Sequence, residues 1–256
     1  IETLEGALRG VIFSYACHPT SRGGTSIGGD YVGFVYDRIN GKYPQVNACF
    51  LQGCGGDQKT KPVDPASDRF IPREIDEIEQ IGTQLGEAVI QVIESGPMAD
   101  ISGPISVARS ILDLETEHPD LDLVEAGLQD SREFVKSWAK HLKNAIDSGE
   151  PLPATVSFES QSIRFGQTLG IVTLSGDMCV EHGLRLKRDL SPHFENLLIV
   201  GYSNGIIGYV PVKRQIPEGG YEVWFSQQYM MRTGPYVEET EDLIHEIAHR
   251  NLGIRI

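Results

Sequence analysis

The residue types best suited to chemistry begin with His18, in Ser14-Tyr15-Ala16-Cys17-His18-Pro19-Thr20. The run Val11–Ala16 before it has strand character. Pro19 cannot donate to a sheet ladder and biases His18 toward extended backbone, so the strand ends there with an imidazole at its tip. The glycine-rich loop Gly23–Gly29 follows. Such a histidine is readily aimed into a cleft, and the same spacing also suits a loop histidine packed on a neighbour. A second stretch, Gln52-Gly53-Cys54-Gly55-Gly56-Asp57, follows the run Val46–Leu51. It has neither the GxxxxGK[ST] nor the GxGxxG spacing of nucleotide loops, which leaves a turn that lets a substrate or another loop approach the backbone.

Further along, Leu169–Leu174 reads as a strand that turns through Gly176 toward a helix, with Asp177 at or near the N-cap. Capping is the ordinary work of such an aspartate. Tyr209 in Gly208-Tyr209-Val210-Pro211 and Tyr221 after Gly219-Gly220 are glycine-flanked loop tyrosines. The most literal motif is His245-Glu246-Ile247-Ala248-His249, an HExxH that on a helix would turn two imidazoles and a glutamate to one side. No residue from Arg250 to Ile256 is His, Glu, Asp or Cys, so no third ligand follows. Leu243, Ile244, Ile247, Ala248 and Leu252 instead form an apolar stripe, with acids Glu238, Glu239, Glu241 and Asp242 near the helix start. The segment therefore reads as a docking helix.

The elements that must position these residues alternate. Ile105–Leu112, Thr155–Ile163 and Leu197–Tyr202 add further strands. Helices are expected over Asp30–Asn40, over the stripe Ile75, Ile78, Ile81, Leu85, Val89, Val92 and Ile93 up to Gly96-Pro97, between Leu121 and Ile146, over Val180–Asp189 and over Val237–Asn251. Lys59–Pro72 reads as a long exposed loop. The alternation points to α/β or α+β, and the expected fold is α/β, a sandwich-like domain with a mixed β-sheet and flanking helices. It would be one domain over residues 1–256 with a helical excursion around 115–150.

The chain has 256 residues, 40% apolar and 23% charged, with a net charge of −14. That charge argues against nucleic acid and anionic membrane surfaces as partners. No apolar run approaches the about 20 residues that span a bilayer. The four cysteines form no CxxC pair; Cys49 and Cys54 suit either a bridge or buried thiols.

Taken in this order, the Cys-His-Pro-Thr segment with Asp30 downstream, the glycine turn ending at Asp57, Gly176-Asp177 with its following helix, Gly-Tyr-Val-Pro at Tyr209 and the Tyr221-Glu222 pair resemble the neutral/alkaline (non-lysosomal) ceramidase family, especially its ceramidase-like bacterial branch. The likeness runs from about Leu8 to the C-terminus, thinly between Phe70 and Pro151. It implies a zinc-dependent hydrolase of linear amides, with zinc held by two histidines, a glutamate and a tyrosine. One histidine corresponds to His18, the acid to Asp177 and the tyrosine to Tyr209. Tyr221 corresponds to a tyrosine that assists the developing oxyanion, and Asp30, Gly56 and Asp57 to residues of the cleft or just behind it. Zinc so held acidifies water and polarises an amide carbonyl.

The other histidine belongs to a His-x-His segment that this chain lacks before His18, so the zinc site within the chain is expected to be incomplete. The chain would then be the C-terminal part of a larger catalytic domain. Asp177 is one methylene shorter than the family's glutamate. Lys59 stands where the family carries a serine, so sphingoid recognition is not supported. The implied partner is a small N-acyl or amide substrate, not nucleic acid, and export from the cell follows from the family alone. The other reading is a non-catalytic descendant of the fold that binds or supports.

Overall fold

The run that ends before His18 forms β1 (Gly10–Tyr15), one residue earlier than its spacing predicts. Helix α1 (Asp30–Lys42) crosses over from β1 to β2 (Asn47–Gln52), and the strands pair in parallel from Gly10↔Asn47 to Tyr15↔Gln52. Alternation puts Val11 and Phe13 on one face, where they pack with Tyr31, Val32, Val35, Ile39, Val46 and Ile78. The computed structural model describes residues 1–96 and 98–255. It divides into two compact units, Ile1–Asp100 and Ile101–Ile256.

Within the first unit, the loop Lys59–Pro72 contains a two-residue antiparallel hairpin, β3 (Val63–Asp64) and β4 (Arg69–Phe70). Helix α2 (Ile75–Glu94) opens with the Glu77 carboxylate accepting from the Glu74 N–H at 2.8 Å. Of its aliphatic stripe, Ile78 is buried and Ile81, Leu85, Val89 and Ile93 pack half-buried on the core, whereas Ile75 and Val92 are exposed; Gly82 and Gly86 are buried as well. The cause is close packing on α1, since a Cβ at Gly82 would lie 2.4 Å from the Tyr31 carbonyl oxygen. The small residues thus set the contact. Helix α2 ends at Glu94; of the expected stop at Gly96-Pro97, Pro97 lies outside the described residues.

The second unit opens with β5 (Ile105–Glu115) and a helical hairpin, α3 (Leu121–Gly127) and α4 (Glu133–Ser148). The single amphipathic stretch expected here is broken because Asp130 accepts from the Arg132 N–H and holds its guanidinium. The hairpin has its own core of Val124, Val135, Trp138, Ala139 and Leu142. Then follow β6 (Thr155–Phe165), β7 (Leu169–Leu174), β8 (Asp177–Met178), α5 (Val180–Leu190), β9 (Asn196–Val200), β10 (Tyr209–Val210), α6 (Ser226–Tyr229) and α7 (Thr240–Asn251). A mixed four-stranded sheet has the order β5-β6-β7-β9, antiparallel except for β7 and β9. Helix α7 packs on β5 and β6, and α5 on β9. No helix among the described residues is long and apolar enough to cross a membrane.

Candidate functional site

In the first unit the glycine turn serves its own chain. A Cβ at Gly55 would lie 2.7 Å from the backbone of Ala16 and Cys17, and one at Gly53 would lie 3.0 Å from the Ala16 Cβ. The glycines are therefore the condition for residues 53–56 to lie against the end of β1. That approach brings the Gly56 carbonyl to His18, whose Nε2–H donates to it at 3.0 Å. The His18 N–H donates to the Gln58 carbonyl at 3.0 Å, and the ring is 7% exposed. A carbonyl only accepts, so in the neutral ring the remaining lone pair sits on Nδ1. Metal-binding histidines are commonly oriented by such a donation to backbone.

Asp30, expected behind the cleft, anchors the loop after His18. Its carboxylate accepts from Ser21 N–H at 2.8 Å, from Ser21 Oγ–H at 2.6 Å and from Tyr31 N–H at 2.8 Å. Ser21 continues to Thr60, with hydroxyl oxygens 2.5 Å apart. Neither Ser21 nor Thr60 stood out in the sequence, though a serine nine residues before a helix-opening aspartate is a readable loop tie. Asp57 is half-buried at the end of the glycine turn. Lys59 lies over the Phe70 ring, 4.8 Å from its centroid. Burial, reinforced by the Asp30 charge, pushes the Cys17 thiol up to about 11, so it is protonated and a poor nucleophile. None of the four cysteines is in a disulfide among the described residues.

In the second unit, Asp177 is not a helix cap. The N-cap of α5 is Cys179, and Asp177 lies in β8, directly opposite Tyr209 of β10 in a parallel two-residue ladder. The Asp177 N–H donates to Gly208 at 2.8 Å and the Cys179 N–H to Val210 at 3.1 Å. Gly176 makes the register attainable. Its φ is +92°, and a Cβ there would lie 2.8 Å from the Ile207 side chain.

Asp177 is 3% exposed, and the hydroxyls of Tyr202 and Tyr209 donate to its carboxylate. Burial first, and then the Asp177 charge, drive both phenols well above the ordinary tyrosine range. Tyr221 is hydrogen-bonded to Tyr209, with ring centroids 5.4 Å apart at 74°. Burial and the neighbouring Tyr229, Glu222 and Asp177 raise its phenol too. A cation bound at Asp177 would invert this, because positive charge favours the phenolates. Tyr202 belongs to this cluster as well. Its φ of +51° between Gly201 and Asn204 places it in a constrained turn.

The HExxH helix is α7, and it turns one nitrogen of each imidazole to a neighbour inside the fold, while His245 Nδ1 is buried without a hydrogen-bond partner among the described residues. His245 is buried and stacks on His182 with centroids 5.5 Å apart, its Nε2 3.3 Å from His182 Nδ1. His182 Nε2 in turn meets the Pro211 carbonyl at 3.2 Å, and His249 Nδ1–H donates to the His245 carbonyl at 2.7 Å. Burial, helped by His182 and nearby arginines, pushes His245 down to about 2. Ile244, Ile247, Ala248 and Leu252 are buried as the stripe requires, while Leu243 is exposed. Among the described residues no group of three or more His, Cys, Asp or Glu side chains is arranged to hold a metal ion.

No family model matches the chain, and no curated protein matches it. Two solved structures resemble it over its whole length. One is the neutral ceramidase from Pseudomonas aeruginosa, at 15% identity and a TM-score of 0.68. The other is a ceramidase complexed with C2, at 13% identity and a TM-score of 0.65. The chain spans 46% and 47% of the length of those proteins, so it shares their fold over less than half of each.

Proposed function

We propose that this chain is the part of a zinc-dependent hydrolase of linear amide (N-acyl) bonds that supplies His18, Asp177 and Tyr209 as metal ligands and Tyr221 as a donor to the developing oxyanion. The observation that carries the reading is the register of β8 on β10, which sets a buried carboxylate against a phenol with a second phenol alongside. The ceramidase-like fold supports the same assignment.

Carboxylate, imidazole and phenol oxygen are donors that zinc accepts, and zinc would act as a Lewis acid that polarises the amide carbonyl and acidifies water. The chain's own contribution is orientation. The Gly56 carbonyl fixes the His18 ring, the Gly208 carbonyl fixes the Asp177 backbone, and Tyr202 holds the Asp177 carboxylate from one side. Tyr221, partly exposed, is the phenol with room to reach a substrate oxygen. One donor of this kind contributes about 3 to 4 kcal/mol to the transition state.

The substrate is a small N-acyl amide; Lys59 engaged with Phe70 gives no support to a sphingoid headgroup. The test is zinc per chain in the full-length protein and in His18→Ala, with hydrolysis of an N-acyl amide panel. The reading expects close to one zinc per wild-type chain, lost with activity in the variant. Equal zinc in both proteins would remove His18 from the ligand set. A metal-free, inactive wild type would favour a non-catalytic binding module, for which the shorter Asp177 is the specific motive.

A further inference from the structure

We infer that Gln227, held by Arg232, is a positioning residue that fixes Tyr209 and Tyr221 in one arrangement. The functional consequence rests on the reading of those tyrosines given above. Both stand on elements too short to hold themselves. Tyr209 is in a two-residue strand, and Tyr221 opens a single π-helical turn, Tyr221–Phe225, after Gly219 and Gly220 at φ of +71° and +90°. An outside group must therefore tie them.

Gln227, in α6, is buried and does this with one side chain. Its Nε2 donates to the Tyr209 carbonyl at 3.2 Å and reaches the carbonyl of Glu222, the residue after Tyr221, at 3.4 Å. Its Oε1 accepts from Arg232 Nη1 at 2.5 Å. The orientation of the amide is determined: two carbonyls need a donor and a guanidinium needs an acceptor, so only one flip satisfies all three.

Arg232 completes the clamp. It donates to the Ile207 carbonyl, two residues before Tyr209, and to the Tyr236 hydroxyl at 2.7 Å. Its own carbonyl accepts from Trp138 Nε1–H at 2.7 Å, which ties it to α4. A half-buried guanidinium costs desolvation that an apolar side chain would avoid. What it provides here is direction, since its planar fork meets a carbonyl, an amide and a phenol at fixed angles.

The test is Gln227→Glu in the full-length protein. The exchange keeps size and strengthens the pair with Arg232, but replaces the Nε2 donor by an oxygen facing the Tyr209 and Glu222 carbonyls. A purely structural role would move stability and site together. The positioning role separates them: the melting midpoint stays near wild type, while zinc affinity, measured by competition with a chromophoric chelator, falls about tenfold or more. The absorption of the cobalt(II)-loaded form should change with it. Wild-type zinc affinity and cobalt spectrum in the variant would overturn the inference.

If the wild type takes up no zinc, the metal reading falls and amide hydrogen exchange decides the clamp. Peptides covering 205–212 and 219–226 should both exchange about tenfold faster in Gln227→Glu, with the rest unchanged. No change, or acceleration of only one peptide, would overturn it. Should Gln227→Glu fail to fold, Arg232→Lys removes the fork while keeping the charge, and the same measurements apply.

Discussion

Two constellations in the second unit invite comparison: the HExxH on α7 and the Asp177–Tyr209 pair across β8 and β10. The first has ideal spacing along the chain, and its imidazoles end in the interior on His182 and on helix backbone. The second has no spacing at all, since 32 positions separate its members, yet register sets them face to face. Proximity along a helix names a motif; the destination of each polar atom's hydrogen bonds decides its use. Here one ring nitrogen of each α7 histidine ends inside the fold, whereas the Asp177 carboxylate is buried beside phenols, the arrangement on which the proposed metal role rests.

The largest expected effect is at Asp177. Asp177→Ala should take bound zinc in the full-length protein to near zero and strand two phenols without their acceptor, at a cost of about 1–3 kcal/mol of stability by denaturant titration. Tyr221→Phe should follow, lowering turnover by about 10²–10³-fold while zinc content holds. Parallel loss of both would make Tyr221 a ligand instead.

On the other side of the comparison, His245→Ala should leave zinc content unchanged but destabilise by about 2–4 kcal/mol, since it opens a cavity and deprives His182 of its partner. The pH dependence sharpens this. His245 has a folded pKa of about 2 against an ordinary 6.5, so below pH 6.5 the unfolded chain binds a proton that the folded chain does not. Its contribution to stability is therefore full above pH 6.5 and declines as pH falls, by up to about 1.4 kcal/mol per unit. His245→Phe should flatten that slope between pH 6.5 and 5. The smallest effect belongs to Asp177→Glu, which lengthens the acid by one methylene and should retain or raise zinc affinity.

Much of the scaffold was legible. Leu169–Leu174 is a strand to the residue, and α2 and α5 follow their expected spans closely, because strong period and clear breakers act locally. Asp177 was legible as an acid at a strand-to-helix turn but not as a partner of Tyr209, because parallel register is set by tertiary packing. Most of the α2 stripe packs on the core as its period requires, whereas the closeness of α1 was not legible, because Gly82 and Gly86 carry no hydrophobic signal. Gln227 and Arg232 were missed for a related reason: each works through backbone carbonyls far along the chain, and no periodicity records that.

The most direct test of the central claim is zinc per chain, by elemental analysis, in full-length Tyr209→Phe beside His245→Ala. The account expects zinc to collapse in Tyr209→Phe and to stay at the wild-type level in His245→Ala. Zinc retained in the first and lost in the second would place the metal on α7 and contradict the account.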